Sequence, residues 1–156
     1  MKTTGVSIKI KCEEEVFGVQ KIIYVLHENV VSLLEYQMLG QAVIASYMAH
    51  LHAEISEHPE LVETFAFVDP ASSFFINSEF EDYILNRFRE GNPDRLFFLP
   101  HNKKALKKFN VETGRGSNKI GKAKFLSWPP KSRASYTEDE LNEVRLEALH
   151  FIQDHV

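Results

Sequence analysis

The chain is almost devoid of cysteine: Cys12 is the single thiol among 156 residues. One cysteine cannot form an intrachain disulfide, so the fold does not depend on an oxidising compartment. The N-terminal residues also lack the apolar stretch of a secretory signal peptide. These two features argue against a disulfide-stapled secreted domain and lead us to expect a cytoplasmic protein.

Long apolar runs are scarce as well. The stretch Tyr36–Ala53 has 18 residues without a charged side chain, which reaches only the lower limit for a membrane-spanning helix. It contains two glutamines and two histidines, and it is flanked by Glu35 and Glu54 rather than by an anchoring Lys/Arg cluster. We therefore expect a buried core helix and no membrane partner.

The remaining totals are those of an ordinary globular protein. Hydrophobic residues make up 44% of the chain and charged residues 26%, and there are neither internal repeats nor low-complexity tracts. This length is near the commonest domain size. We predict a single globular domain over residues 1–156, with an irregular connector near 128–136 before a C-terminal helix.

Two short segments have the pattern of strands. Val6, Ile8 and Ile10 alternate with polar residues, as in a half-buried strand. The apolar run 21–26 is rich in β-branched residues, which favours a strand paired with the first, although a helix remains an alternative for residues 16–26.

Helical periodicity dominates the rest. It predicts a helix over 28–57, in which Gly40 marks either a kink or a close helix contact. It also predicts a short helix over 59–65 and helices that begin at the capping boxes Ser78–Glu81 and Thr137–Glu140. A loop is expected at 69–73, a short buried strand at 96–99, a helix from Asn102 and a strand over 119–128. The predicted fold class is α+β: a mostly helical domain with a small antiparallel or mixed sheet.

Positive charge is scarce except in one region. Residues 1–86 carry 4 Lys and Arg against 13 Asp and Glu, whereas residues 87–134 carry 13 against 3. Residues 135–156 return to 1 against 6. Like charges at this density repel one another unless an anion or an acidic surface offsets them. The asymmetry therefore predicts a binding partner of negative charge.

The candidate binding residues lie within about 101–124. Four lysines at positions i, i+1, i+4 and i+5 would share one side of a helix, an arginine lies in a glycine turn, and further lysines follow. A phosphate backbone or an acidic protein would fit such a surface. The predicted polyanion-binding residues are Lys103, Lys104, Lys107, Lys108, Arg115, Lys119, Lys122 and Lys124.

Residues 116–123 come close to a phosphate-cradling loop. The glycine and lysine spacing fits, but Ala123 stands where a Ser or Thr hydroxyl would hold magnesium. Trp128, Pro129 and Pro130 follow shortly afterwards, where such a loop needs a helix. We interpret the segment as a basic glycine turn and predict no cofactor.

Three weaker patterns concern metal binding and catalysis. His50, Glu54 and His58 would stack on one helix face, but they lack the His-Glu-x-x-His spacing, so no metal is predicted. Cys12 stands beside Glu13–Glu15, which would raise its thiol pKa and make the thiolate scarcer. His101 could act in acid–base chemistry, with only its basic neighbourhood in support.

Three functions remain open. The first is a small non-catalytic binding or regulatory protein that uses the 101–124 surface. The second is a protein–protein interaction module, such as an inhibitor, immunity or accessory protein, acting through its acidic faces or through Phe74 and Phe75. The third is an enzyme acting on nucleic acid or a phosphorylated substrate, although no catalytic residue can be assigned from the sequence.

Overall fold

The computed structural model describes residues 7–35, 37–74, 78–89, 94–100 and 137–155. The helix predicted from Asn102, the strand predicted over 119–128 and the connector near 128–136 lie outside these residues.

A β-hairpin opens the described chain. Strand β1 (Ile8–Cys12) pairs antiparallel with β2 (Lys21–Val25), and Ile10 lies opposite Ile23. Both of these isoleucines are buried, because alternate residues of the two strands face the core. The alternating pattern thus predicted the first strand, and the β-branched run is indeed its partner.

A single turn of helix connects the two strands. Helix α1 (Glu14–Phe17) ends at Gly18, whose φ of 75° lies in the left-handed region. Gly18 N donates to Glu14 O at 2.6 Å and so closes the turn. A glycine suits this position because a Cβ would be strained there. Val16 and Phe17 are buried in the hydrophobic core.

The predicted long helix is two helices. Helix α2 (His27–Leu34) and helix α3 (Gln41–Ser56) are separated by residues 35–40, so the expectation of one continuous helix over 28–57 is wrong. Of the two alternatives for Gly40, the close helix contact is confirmed and the kink is not. Gly40 takes extended backbone angles and serves as the N-cap of α3. A Cβ on Gly40 would lie 3.1 Å from Asn29 Nδ2, which places the start of α3 directly against α2.

Helix α3 is the centre of the core. It buries Val43, Ala45, Ser46, Met48 and Ala49 and packs against α2, α1 and the hairpin. This confirms the prediction of a core helix. Among the described helices, none combines the length and apolar character needed to cross a membrane.

A parallel strand pair follows. Helix α4 (Pro59–Thr64) leads into β3 (Phe65–Phe67), a 3-10 helix occupies Pro70–Phe74, and α5 (Ser78–Arg89) crosses over to β4 (Leu96–Phe98). Residues 69–73 were predicted as a loop, and most of that stretch is 3-10 helix instead. Strand β4 was predicted to be buried, but Leu96 and Phe98, which share one face of the strand, are half-exposed, and Phe97 on the other face is partly buried.

Helix α6 (Glu138–Gln153) packs on α3 and α2. Its capping box forms as predicted: Glu140 N donates to Thr137 Oγ1 at 3.2 Å, and Thr137 N donates to Glu140 Oε2 at 2.7 Å. Ala148 and Ile152 are buried, whereas Leu141 and Val144 are 43% and 44% exposed. Only the C-terminal half of this apolar face therefore contributes to the core.

The architecture is α+β and mostly helical, which confirms the predicted fold class. Its strands form one antiparallel pair, β1 with β2, and one parallel pair, β3 with β4. Parallel pairing requires a crossover connection, and α5 provides it.

Candidate functional site

The eight predicted polyanion-binding residues lie outside the described residues. So do the near-miss phosphate loop at 116–123, His101, and the side chains of Phe74 and Phe75. The structure instead describes residues of the rest of the chain, which we call the body (residues 1–100 and 137–156). It shows which groups the charged side chains of the body contact.

The body and the basic segment have opposite charge. Residues 101–136 carry 10 Lys and Arg against 1 acidic residue, a net charge of +9. The other 120 residues carry 8 Lys and Arg against 21 Asp and Glu, a net charge of −13. Cations therefore outnumber acidic residues within these 36 residues, whereas acidic residues outnumber cations in the rest of the chain.

Arg87 belongs to the interior of the fold. Its side chain extends from α5 and the residue is only 5% exposed. Nε donates to Phe67 O at 3.1 Å, and Nη2 donates to Val16 O at 3.0 Å and Glu15 O at 3.3 Å. The guanidinium thus satisfies two carbonyls of α1, those of Glu15 and Val16, and one carbonyl of β3.

Arg95 acts in the same way on another short helix. Its Nη2 donates to Val62 O at 2.7 Å and its Nε donates to Glu63 O at 3.2 Å, close to the C-terminus of α4. Cations at a helix C-terminus also interact favourably with the helix dipole. Arg87 and Arg95 belong to the basic stretch 87–134 but not to the predicted binding residues, and both use their charge within the fold.

A second polar cluster centres on Asp69, which follows β3 after one intervening residue, Val68. Lys21 Nζ lies 2.7 Å from Asp69 Oδ2, and the two side chains are 24% and 13% exposed. Asp69 Oδ1 accepts from Ala71 N at 2.9 Å, which starts the 3-10 helix. The Tyr83 hydroxyl accepts from Asp69 N at 3.0 Å and donates to Phe17 O at 2.8 Å. This cluster joins the hairpin, α1, β3 and α5 through satisfied hydrogen bonds.

Cys12 lies next to that cluster at the end of β1. Burial raises the pKa of its thiol, Lys21 opposes the shift, and Asp69 and Glu13 add to it. The predicted direction is therefore right, but burial is the largest cause and Glu13 the smallest. A buried thiol with a raised pKa is a poor nucleophile at neutral pH.

Of the three residues considered for a metal, His50 and His58 contact different side chains, and Glu54 is exposed. The His50 ring packs 5.3 Å from that of Phe151, between α3 and α6. His58 stands at the N-cap of α4, with Nδ1 3.7 Å from Glu60 Oε1. Within the part of the chain that the structure describes, no three His, Cys, Asp or Glu side chains form a group suited to hold a metal ion.

His52 lies on α3 near both arginines. Its ring meets the ring of Phe67 edge-on at 6.2 Å. Burial lowers the pKa of His52, Arg87 and Arg95 lower it further, and Glu15 partly opposes them. The neutral imidazole is thus the form that this environment favours.

The outer face of the hairpin carries a group that the sequence patterns did not single out. Lys9 lies opposite Tyr24 and Lys11 lies opposite Ile22. All four residues are exposed, since their strand neighbours face the core. Alternation alone had identified Lys9 and Lys11 as outward-facing, but the partner residues on β2 depend on the register of the pair.

Comparison of the chain with models of protein families, with curated proteins and with solved structures gives no match.

Proposed function

We propose that this protein is a small, non-catalytic binding protein whose 101–124 segment recognises a polyanion, with nucleic acid as the partner class. The observation that supports this is the separation of charge: a net +9 over residues 101–136 on a body of −13. The phosphate backbone of nucleic acid is a common partner for such a density of lysines, and its counterions are released on binding.

The roles of the two arginines sharpen the proposal. Arg87 and Arg95 are committed to backbone carbonyls, so they are poor candidates for anion binding. The lysines at 103, 104, 107 and 108 remain the densest group of cations in the sequence. We therefore assign the main contact to these four lysines, with Arg115 and the three lysines after it extending the surface.

The test is a titration of fluorescently labelled DNA and RNA at about 50 and 200 mM salt. A protein that makes six to ten phosphate contacts loses roughly 10³ to 10⁵ in affinity over that range. The variant K103E/K104E/K107E/K108E should abolish binding. The double variants K103E/K104E and K131E/R133E change the net charge equally, and only the first should weaken binding strongly. Equal effects, or no binding at the lower salt, would contradict the proposal.

One observation favours the interaction-module alternative. The first turn of α6 carries Glu138, Asp139 and Glu140, and the same half of the helix leaves Leu141 and Val144 partly exposed. An acidic helix face with apolar residues at i and i+3 suits a groove on a basic partner protein. A salt-resistant complex in a pull-down, lost in Leu141→Asp but kept in the lysine variants, would support this second function instead.

A further inference from the structure

The outer face of the β1–β2 hairpin combines two rows of different chemistry. Lys9 and Lys11 form a cationic row on β1, and Ile22 and Tyr24 form an apolar row on β2. The inner face of the same hairpin carries buried residues such as Ile10, Ile23 and Val25. The outer face therefore does not contribute to the core.

Tyr24 is the aromatic residue of this face, and it is 51% exposed. Lys9 Nζ lies 5.9 Å from the centroid of its ring. A cation–π contact at an exposed site is weak, so another planar group can replace the ammonium on the ring. The Tyr24 ring and the Lys9 ammonium are thus neighbouring groups that can each contact a ligand.

The lysines of this face differ from the cations held in the interior. Lys21, Arg87 and Arg95 bind groups of the fold itself. Lys9 and Lys11 are exposed, and two residues of a strand separate their Cα atoms by roughly 7 Å. Lys11 Nζ is 2.7 Å from Glu13 Oε1, but both side chains are more than half exposed. Such a surface pair is weak and readily exchanged.

We infer that this face binds single-stranded nucleic acid, with a base stacked on Tyr24 and backbone phosphates held by Lys9 and Lys11. The inference deepens the proposed function, on which it rests, by adding a second contact surface and a preference for unpaired bases. Exposed aromatic rings beside cations are the combination that single strands require, because a base can stack only when it is unpaired. An acidic protein would use the lysines but would have no need of the ring.

The test uses the full-length protein and labelled 12-residue oligomers of deoxythymidine and uridine, with a 12-base-pair duplex for comparison. Tyr24→Ala should weaken single-strand binding by roughly 5- to 150-fold, since stacking on one aromatic ring contributes that much. Tyr24→Phe should bind within about twofold of the wild type because the ring remains. K9Q/K11Q should lower the salt slope by about 0.7 per lysine. Met38→Ala, at an exposed residue in the link between α2 and α3, is the control and should leave binding unchanged.

The outcomes separate this inference from the proposed function. Binding lost in K103E/K104E/K107E/K108E but unchanged in Tyr24→Ala overturns the inference and leaves the proposed function standing. Binding lost in Tyr24→Ala and kept in Tyr24→Phe, with the four lysines dispensable, supports single-strand binding by the hairpin face and overturns the assignment of the 101–124 segment as the main contact. Equal affinity for polyglutamate and for the oligomers, with Tyr24→Ala harmless to both, would mark an acidic-protein surface and overturn the inference. The melting temperature of each variant is compared with that of the wild type, so that a loss of binding caused by unfolding is recognised.

Discussion

Arg87 Nη2 donates to the carbonyl oxygen of Val16 at 3.0 Å, across 71 residues of chain. This bond and its neighbours attach α5 to the end of α1 and to β3. A helix of only four residues cannot satisfy its own terminal carbonyls. Arg87, from a helix far along the chain, therefore supplies the N–H donors that these carbonyls would otherwise receive from the next turn of a longer helix or from a local cap.

The first prediction concerns that side chain. Arg87→Met should lower the free energy of unfolding by about 3 kcal/mol or more, because buried carbonyls lose a charged donor. The free energy of unfolding of Arg87→Lys should lie between those of Arg87→Met and the wild type, because a single ammonium cannot reproduce the geometry of the guanidinium fork. Urea denaturation measures both. Arg89→Met, an exposed position on the same helix, is the control and should change stability by less than about 0.5 kcal/mol. Equal losses at both positions would contradict the assigned role of Arg87.

The second prediction compares two ion pairs of the same length. Lys21–Asp69 and Lys11–Glu13 both measure 2.7 Å between nitrogen and oxygen, but only the first is largely shielded from solvent. Asp69→Asn should cost about 1–2 kcal/mol, because the Lys21 ammonium stays partly buried without its carboxylate. Glu13→Gln should have no measurable effect on stability. Thermal and urea unfolding of the two variants check this, and a ranking in the opposite order would refute it.

The third prediction tests the start of α6. Thr137→Ala removes the oxygen that accepts from Glu140 N and should cost about 1 kcal/mol of stability. Thr137→Ser keeps a hydroxyl at that position and should retain most of the stability that the alanine variant loses. Far-ultraviolet circular dichroism during urea unfolding gives both values. Identical midpoints for the alanine and serine variants would show that the cap contributes nothing.

The fourth prediction follows from the lowered pKa of His52. The unfolded chain binds a proton at this histidine near pH 6.5, whereas the folded protein resists protonation until a lower pH. The unfolded state therefore holds more protons in that window, and the free energy of unfolding falls as the pH falls below about 6.5. His52→Phe keeps a ring against Phe67 and should reduce this loss between pH 7.5 and 5.5.

The matched control for that experiment is His58→Gln, at an exposed position before α4. It should retain the pH dependence of the wild type. If His52→Phe and the wild type lose stability in parallel, His52 is not the group responsible.

Local sequence patterns predicted much of the secondary structure. Alternation placed β1, a capping box placed the start of α6, and Pro59 marked the start of α4. These signals depend on neighbours within a turn or two, so one sequence suffices to detect them. The break between α2 and α3 escaped prediction because apolar residues continue on both sides of it. Only the packing of Gly40 against Asn29 places the end of one helix beside the start of the next.

The candidate site was less accessible to this reasoning. The charge pattern identified the lysines of 101–124 as a group of like charge, and their role in binding stays a prediction. The charge count over residues 87–134 included Arg87 and Arg95, and it had no means of showing that they bind distant carbonyls, because such an arginine has no local signature. The sequence patterns also passed over Tyr24, because an aromatic residue in a strand can face either side of a sheet.

The sequence by itself determined the α+β class, the opposite charges of the body and the basic segment, and the chemistry that such a segment favours. These properties follow from composition and short-range periodicity, which the chain has before it folds. The tertiary structure alone decided which cations of the described residues bind groups of the fold and which are exposed to a ligand. Hydrogen bonds between residues far apart in the chain hold Arg87, Arg95 and Lys21 in the body, while the register of β1 and β2 exposes Lys9 beside Tyr24.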